Sequence, residues 1–104
     1  MGGTTVFVTC SEYEDGRLGE VFVVVSKAGT AMRASLEALA ISISIGLQHG
    51  VPFGIYRHAL EGMDFKPSGP VLVGDEATEA RSIIDFLVKH VSRHYDDDGH
   101  RREP

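Results

Sequence analysis

The stretch TAMRASLEALAISISIGLQH, residues 30–49, decides the fold. Met32, Leu36, Leu39, Ile43 and Leu47 recur at helical spacing and form one apolar stripe. Ile41 and Ile45 fall on a different face, and Ala34, Ala38 and Ser42 widen the apolar sector. After Glu37 no charged side chain follows until His49. Gly29 or Thr30 can cap the start, Gly50 stands where a terminating glycine belongs, and Pro52 follows. A helix of about 20 residues is a rod of roughly 30 Å. A helix apolar nearly all round is buried on more than one side. The sequence therefore predicts a long buried helix covered by other helices of the chain or by a second copy of it.

Working outward, residues 4–10 (TTVFVTC) alternate, with Val6 and Val8 on one side and Thr5, Phe7 and Thr9 on the other. The polar run that follows ends in the turn pair Asp15-Gly16. Residues 20–25 (EVFVVV) are continuously apolar after Glu20, which reads as a strand covered on both faces. Together they predict an antiparallel hairpin, which is not stable alone in water and needs the helix against it. Beyond the helix, residues 51–60 read as a short second helix ended by Gly62. Residues 63–73 are punctuated by Pro67, Gly69 and Pro70 and read as extended, with a short edge strand at 71–73. Residues 76–95 read as a third helix capped by Asp75, with the stripe Ile83, Leu87 and Val91. Residues 96–104 (DDDGHRREP) read as a disordered charged tail behind a single domain, residues 1–95. The expected class is α+β: an antiparallel hairpin or small sheet packed against a long buried helix and two further helices.

The chain has 104 residues and a formal net charge of -5, which argues against a sequence-independent nucleic-acid binder. Its single cysteine, Cys10, excludes a disulfide framework and suits a reducing, cytoplasmic setting. No uninterrupted apolar run is long enough to span a membrane, and the N-terminus lacks the pattern of a signal peptide.

The strongest site pattern is Lys27, Gly29 and Thr30 leading into the long helix, with Arg33 one turn in. A glycine turn before a helix N-terminus presents free N–H groups, and the two cations would add charge to hold a phosphate or carboxylate. The plain alternative is a turn glycine, a capping threonine and solvated cations, since no Walker or dinucleotide pattern accompanies them. Arg57, His58 and Tyr56 with Phe65 and Lys66 combine aromatic and basic groups suited to a base and its phosphate. The competing reading is a core phenylalanine and solvated charges. His90 and His94 have the i, i+4 spacing of metal ligands but lack a third ligand in sequence. Glu12, Glu14, Asp15 and Glu20 cluster around the hairpin turn, where carboxylates are usually solvated. Cys10 has no signalled base. No metal or cofactor is expected.

Several unlinked segments resemble one family. Tyr13-Glu14-Asp15-Gly16 is similar to its Y-E-D-G turn, and residues 18–22 (LGEVF) to its L-G-E-I/V-F strand. Lys27-Ala28-Gly29 resembles K-x-G, residues 40–48 (AISISIGLQ) the long helix, and Gly50-Val51-Pro52 the G-V-P exit. Residues 65–71 (FKPSGPV) and 82–86 (SIIDF) are similar to F-E-P-x-G-P-V and S-I-L/I-D-Y/F. The resemblance is to the C-terminal TSCPD domain of vitamin B12-dependent, class II ribonucleotide reductases. In those enzymes the radical, cobalamin and substrate sites lie in a large barrel that this chain lacks. The redox cysteine pair is absent too. The resemblance therefore implies a non-catalytic, stand-alone domain that binds a small nucleotide-like anion. The alternative it implies is an accessory domain docking on a ribonucleotide reductase. Self-association into a homo-oligomer is expected from the long helix.

Overall fold

The computed structural model describes residues 5–26, 29–64, 69–73, 76–80 and 82–102. The order is β1 (Val6–Glu12), β2 (Leu18–Val25), α1 (Thr30–Gln48), α2 (Phe53–Leu60), β3 (Gly69–Val73), β4 (Glu76–Ala80) and α3 (Ile83–Ser92). This is the α+β arrangement that the sequence predicts. β1 and β2 form an antiparallel hairpin from Val6↔Val25 to Glu12↔Leu18, with a bulge between Ser11 and Glu12. Asp15 holds the turn by accepting from the Arg17 backbone N–H at 3.0 Å and its Nε at 2.8 Å.

The core draws on every layer. Val21, Val23 and Val25 of β2 meet Leu36, Ala40, Ile43 and Leu47 of α1. Phe53 of α2 and Ile83, Leu87, Val88 and Val91 of α3 complete it. β2 is not covered on both faces, because its alternate residues Phe22 and Val24 are exposed. The continuous apolar run thus hides an ordinary one-sided strand. α1 is as long as predicted, but only one stripe of it is buried. Ile41 and Ile45 stay about half exposed, at 48% and 54%. α1 packs chiefly on β2, while α2 and α3 pack on each other. Among the described residues, the other faces of α1 do not receive the covering that the sequence predicts.

One buried hydroxyl fixes α1 to the hairpin. The Val21 N–H donates to Ser44 Oγ at 2.9 Å, and Ser44 Oγ donates to the Val21 carbonyl at 3.1 Å. At the end of α1 the Val51 N–H reaches the Gly46 carbonyl (2.9 Å) and the Gly50 N–H reaches the Leu47 carbonyl (3.2 Å). This is the Schellman pattern, and Gly50 supplies its left-handed residue at φ +89°.

Two expectations are corrected. Residues 76–80 are strand β4, paired with β3 in the register Gly69↔Ala80 to Val73↔Glu76, and the helix begins only at Ile83. Its cap is Ser82, whose hydroxyl accepts from the Asp85 N–H at 3.0 Å; Asp75 lies outside the described residues. The fully buried Asp85 also accepts from the Gly62 N–H at 2.6 Å and meets Lys89 Nζ at 3.1 Å, which ties the exit of α2 to α3. The second correction concerns the charged C-terminus. Residues 96–102 turn back onto the domain: the Leu18 N–H donates to the Gly99 carbonyl and the Gly54 N–H to the Asp97 carbonyl, both at 2.8 Å. A side chain on Gly54 would place its Cβ 2.6 Å from that of Asp97. Buried Tyr95 anchors the segment, and Asp96 Oδ1 caps its turn by accepting from the Asp98 and His100 N–H groups.

Replacing Ser44 by Ala strands both backbone groups of Val21, at a cost of about 1–3 kcal/mol. Urea unfolding should show that loss. His90 gives a pH test. Its Nδ1 is buried with no hydrogen-bond partner among the described residues, and its ring stacks on Phe86 with centroids 5.4 Å apart. Burial, and then the neighbouring His94 and Arg93, hold its pKa below the ordinary 6.5. The unfolded state therefore binds the proton more readily. The stability His90 contributes is complete above about pH 6.5 and is lost as pH falls from there through the lower folded-state value. His90→Leu should flatten that part of the stability profile.

Candidate functional site

The predicted anion site is only partly gathered. Gly29 is the N-cap of α1, with extended backbone (φ -65°, ψ 159°), no side chain caps the helix, and its first turn carries no acid. The first helical bond runs from the Arg33 N–H to the Gly29 carbonyl at 3.0 Å. Among the described residues no acceptor meets the N–H groups before it. Arg33 is exposed one turn in. Lys27, Phe65, Lys66 and the side chain of Thr30 lie outside the described residues.

Arg57 is not brought to this turn. It sits on α2 as a clamp on the C-terminal segment. Its Nε and Nη2 donate to the two Asp97 oxygens at 2.7 and 2.9 Å, and its Nη1 donates to Glu61 at 2.7 Å. The two carboxylates raise the Arg57 pKa, and Arg57 holds the Asp97 carboxyl below the usual range. A guanidinium so engaged has no fork left for a ligand. His58 lies beside it, next to Asp97 and Asp98 in the same shallow depression.

A further feature is one that the sequence analysis does not pick out as a site. A groove of about 560 Å³ runs between β2 and α1, walled by residues 22–25 of the strand and by Arg33, Ala34, Leu36, Glu37, Ala40 and Ile41 of the helix. Among the described residues β2 pairs only with β1, and no further strand lies on its second edge. The phase of the hairpin says which groups lie on that edge. The Ser26 N–H bonds the Thr5 carbonyl, so by antiparallel alternation Val24 and Phe22 direct their backbone groups to β1. Val21, Val23 and Val25 direct theirs the other way, as the Ser44 contacts with Val21 show. Ser44 thus closes the edge at Val21 and leaves the N–H and C=O groups of Val23 and Val25 facing the groove.

Cys10 is part-buried, and burial, then Glu12, push its thiol up, away from the nucleophilic thiolate. The Tyr95 hydroxyl donates to Glu12, and burial followed by that bond raises the tyrosine pKa. Arg101 approaches the same carboxylate at 3.8 Å. Asp96, Asp98 and His100 lie close enough to share an ion, with Asp96 Oδ1 accepting the turn's two N–H groups; exposed acidic groups of this kind are common without one. Among the described residues no third ligand joins His90 and His94. No helix among them is long and apolar enough to cross a membrane.

The sequence model of the TSCPD domain matches residues 1–95. The chain is 40% identical over 95 residues to a vitamin B12-dependent ribonucleotide reductase of Bradyrhizobium diazoefficiens, and 39% identical over 95 residues to that of Agrobacterium fabrum. Each match covers 91% of this chain and 8% of the relative. The reductase of Streptantibioticus cattleyicolor is 36% identical over 93 residues, 88% of this chain and 15% of its own. No solved structure matches. The chain thus spans only a small part of the relatives it resembles, a part that excludes most of each enzyme. With a domain match from end to end of its α+β core, the chain belongs to the TSCPD domain family.

Proposed function

We propose that this domain works by contact with another protein, carries no catalysis of its own, and serves a ribonucleotide reductase as an accessory domain. The observation that carries this reading is the outer face of the β1–β2 hairpin. Phe7, Phe22 and Val24 are exposed there at 59%, 44% and 56%. The solvent face of a half-covered antiparallel hairpin is normally polar, and a cluster of large apolar groups marks a contact surface. The relatives support the choice of partner, because each carries the matching segment inside a chain named for reductase activity. The chemistry agrees: burial, then Glu12, disfavours the thiolate of Cys10, and Arg57 is committed to Asp97 and Glu61.

The expected result is binding of this chain to a purified vitamin B12-dependent reductase, read by biolayer interferometry. The double variant Phe7→Ser, Phe22→Ser should weaken it by roughly tenfold or more, about 1.4 kcal/mol per tenfold. Absence of binding at micromolar concentrations of both proteins would remove the reading.

A second reading rests on the uncapped, acid-free N-terminus of α1 with Arg33 beside it. It is a site for a nucleotide-like anion. A nucleotide that binds there raises the melting temperature by mass action. The increase should disappear in Arg33→Ala. A flat thermal-shift screen with mono-, di- and cyclic nucleotides rules this reading out.

A further inference from the structure

The free edge of β2 and the groove beside it form a self-complementary surface, and we propose that its occupant is a second copy of this chain. The two β2 strands pair antiparallel across a two-fold axis at Val24. The pairing uses the backbone edge of β2, whereas the proposed reductase contact uses side chains on the outer face of the hairpin; Val24 belongs to both, and Phe7 to the outer face alone.

The register follows from the groups left free. With the axis at Val24, Val23 of each copy lies opposite the partner's Val25. Both residues direct N–H and C=O to the edge, so the two pairs exchange four hydrogen bonds and leave none of these groups open. Pairing stops at Val21, because Ser44 already holds both of its backbone groups. A register slip of one residue would set inward-directed groups against outward-directed ones and lose the match, and an axis at Val23 would set Val25 against the already closed Val21.

The walls of the groove agree with a two-fold. Arg33 and Glu37 stand one helical turn apart on the α1 wall, and among the described residues neither has an ion-pair partner. A two-fold axis sets the two α1 helices in opposite directions, so Arg33 of one copy comes within reach of the partner's Glu37, and the converse. A surface carrying one charge of each sign in this order complements itself. The small Ala34 lets the helices approach, and half-exposed Ile41 gains cover. A stable interface takes roughly 800 Å² from each partner, about one eighth of the 6378 Å² this chain exposes. The product is a continuous sheet in the order β1-β2-β2-β1.

Sedimentation velocity on the full chain tests this. The expected result is a dimer in the micromolar range. Val24→Lys sets two ammonium groups opposite each other at the axis and should weaken association by roughly tenfold or more. R33E and E37R should each weaken it similarly, yet an equimolar mixture of the two should form a heterodimer, since every wall contact is then between opposite charges. All three positions are exposed, so circular dichroism should show the fold unchanged. In a Cys10→Ser background, V24C should cross-link copy to copy on mild oxidation, and F22C should not. A monomer throughout the micromolar range overturns the proposal, including one whose groove takes a segment of a reductase. A dimer indifferent to Val24→Lys and to the charge exchange also overturns it. Reductase binding that depends on Phe7 but comes from a monomer would sink the dimer alone. A dimer that ignores the reductase would sink the other reading alone.

Discussion

The structure depends on where α1 is held against the hairpin, and one hydroxyl decides that. Ser44 gives and takes a hydrogen bond at the backbone of Val21, so it replaces a third strand for one residue of the edge. A buried polar side chain in the middle of an apolar helix would cost stability without such partners. With both satisfied, it sets the rotation and the height of α1 over β2 together. Leu36, Ala40, Ile43 and Leu47 then face Val21, Val23 and Val25. The same rotation turns Ile41 and Ile45 outward. The buried stripe, the exposed isoleucines and the open groove all follow from this placement.

The C-terminal segment closes the other end of the domain by different means. The ion pairs of Arg57 with Asp97 and Glu61 lie at the surface, where such pairs contribute little. The backbone bonds from Leu18 to Gly99 and from Gly54 to Asp97, with buried Tyr95 at the root, make the segment part of the fold. Arg57 orients what they hold. This explains how a run of charges carries a defined turn even though the family match ends at residue 95.

Much of this was legible in residue order. The hairpin, the long helix, its glycine exit and the second helix follow from periodicity and turn chemistry, because local geometry and burial agree there. The misread parts are those where neighbours outvote composition. Residues 76–80 are charged and alanine-containing, which favours a helix, yet pairing with β3 makes them strand. The sequence did hold the signals. The dipeptide Gly74-Asp75 is of a type that sequence rules associate with hairpin loops, and Ser82 three residues before Asp85 is a capping pattern. Asp98-Gly99 likewise announced a turn inside a stretch judged by charge alone. The candidate anion residues were chosen by type and proximity in sequence. Arg57 shows the limit of that, since its partner Asp97 is 40 residues away. The β2–α1 groove had no local signature, because an unpaired edge is a property of what does not arrive beside a strand.

The length of that unpaired edge has a consequence for solubility. Open strand edges template the addition of further strands, and long, flat, apolar ones lead to aggregates. Ser44 interrupts the edge at Val21, so that among the described residues the stretch beyond it offers Val23 and Val25, too little for an unbounded stack of the kind that six- or seven-residue segments support. The hydroxyl that positions the helix is therefore also a gatekeeper. It limits how far any partner strand can zip along this domain, and so favours an assembly that ends over one that grows.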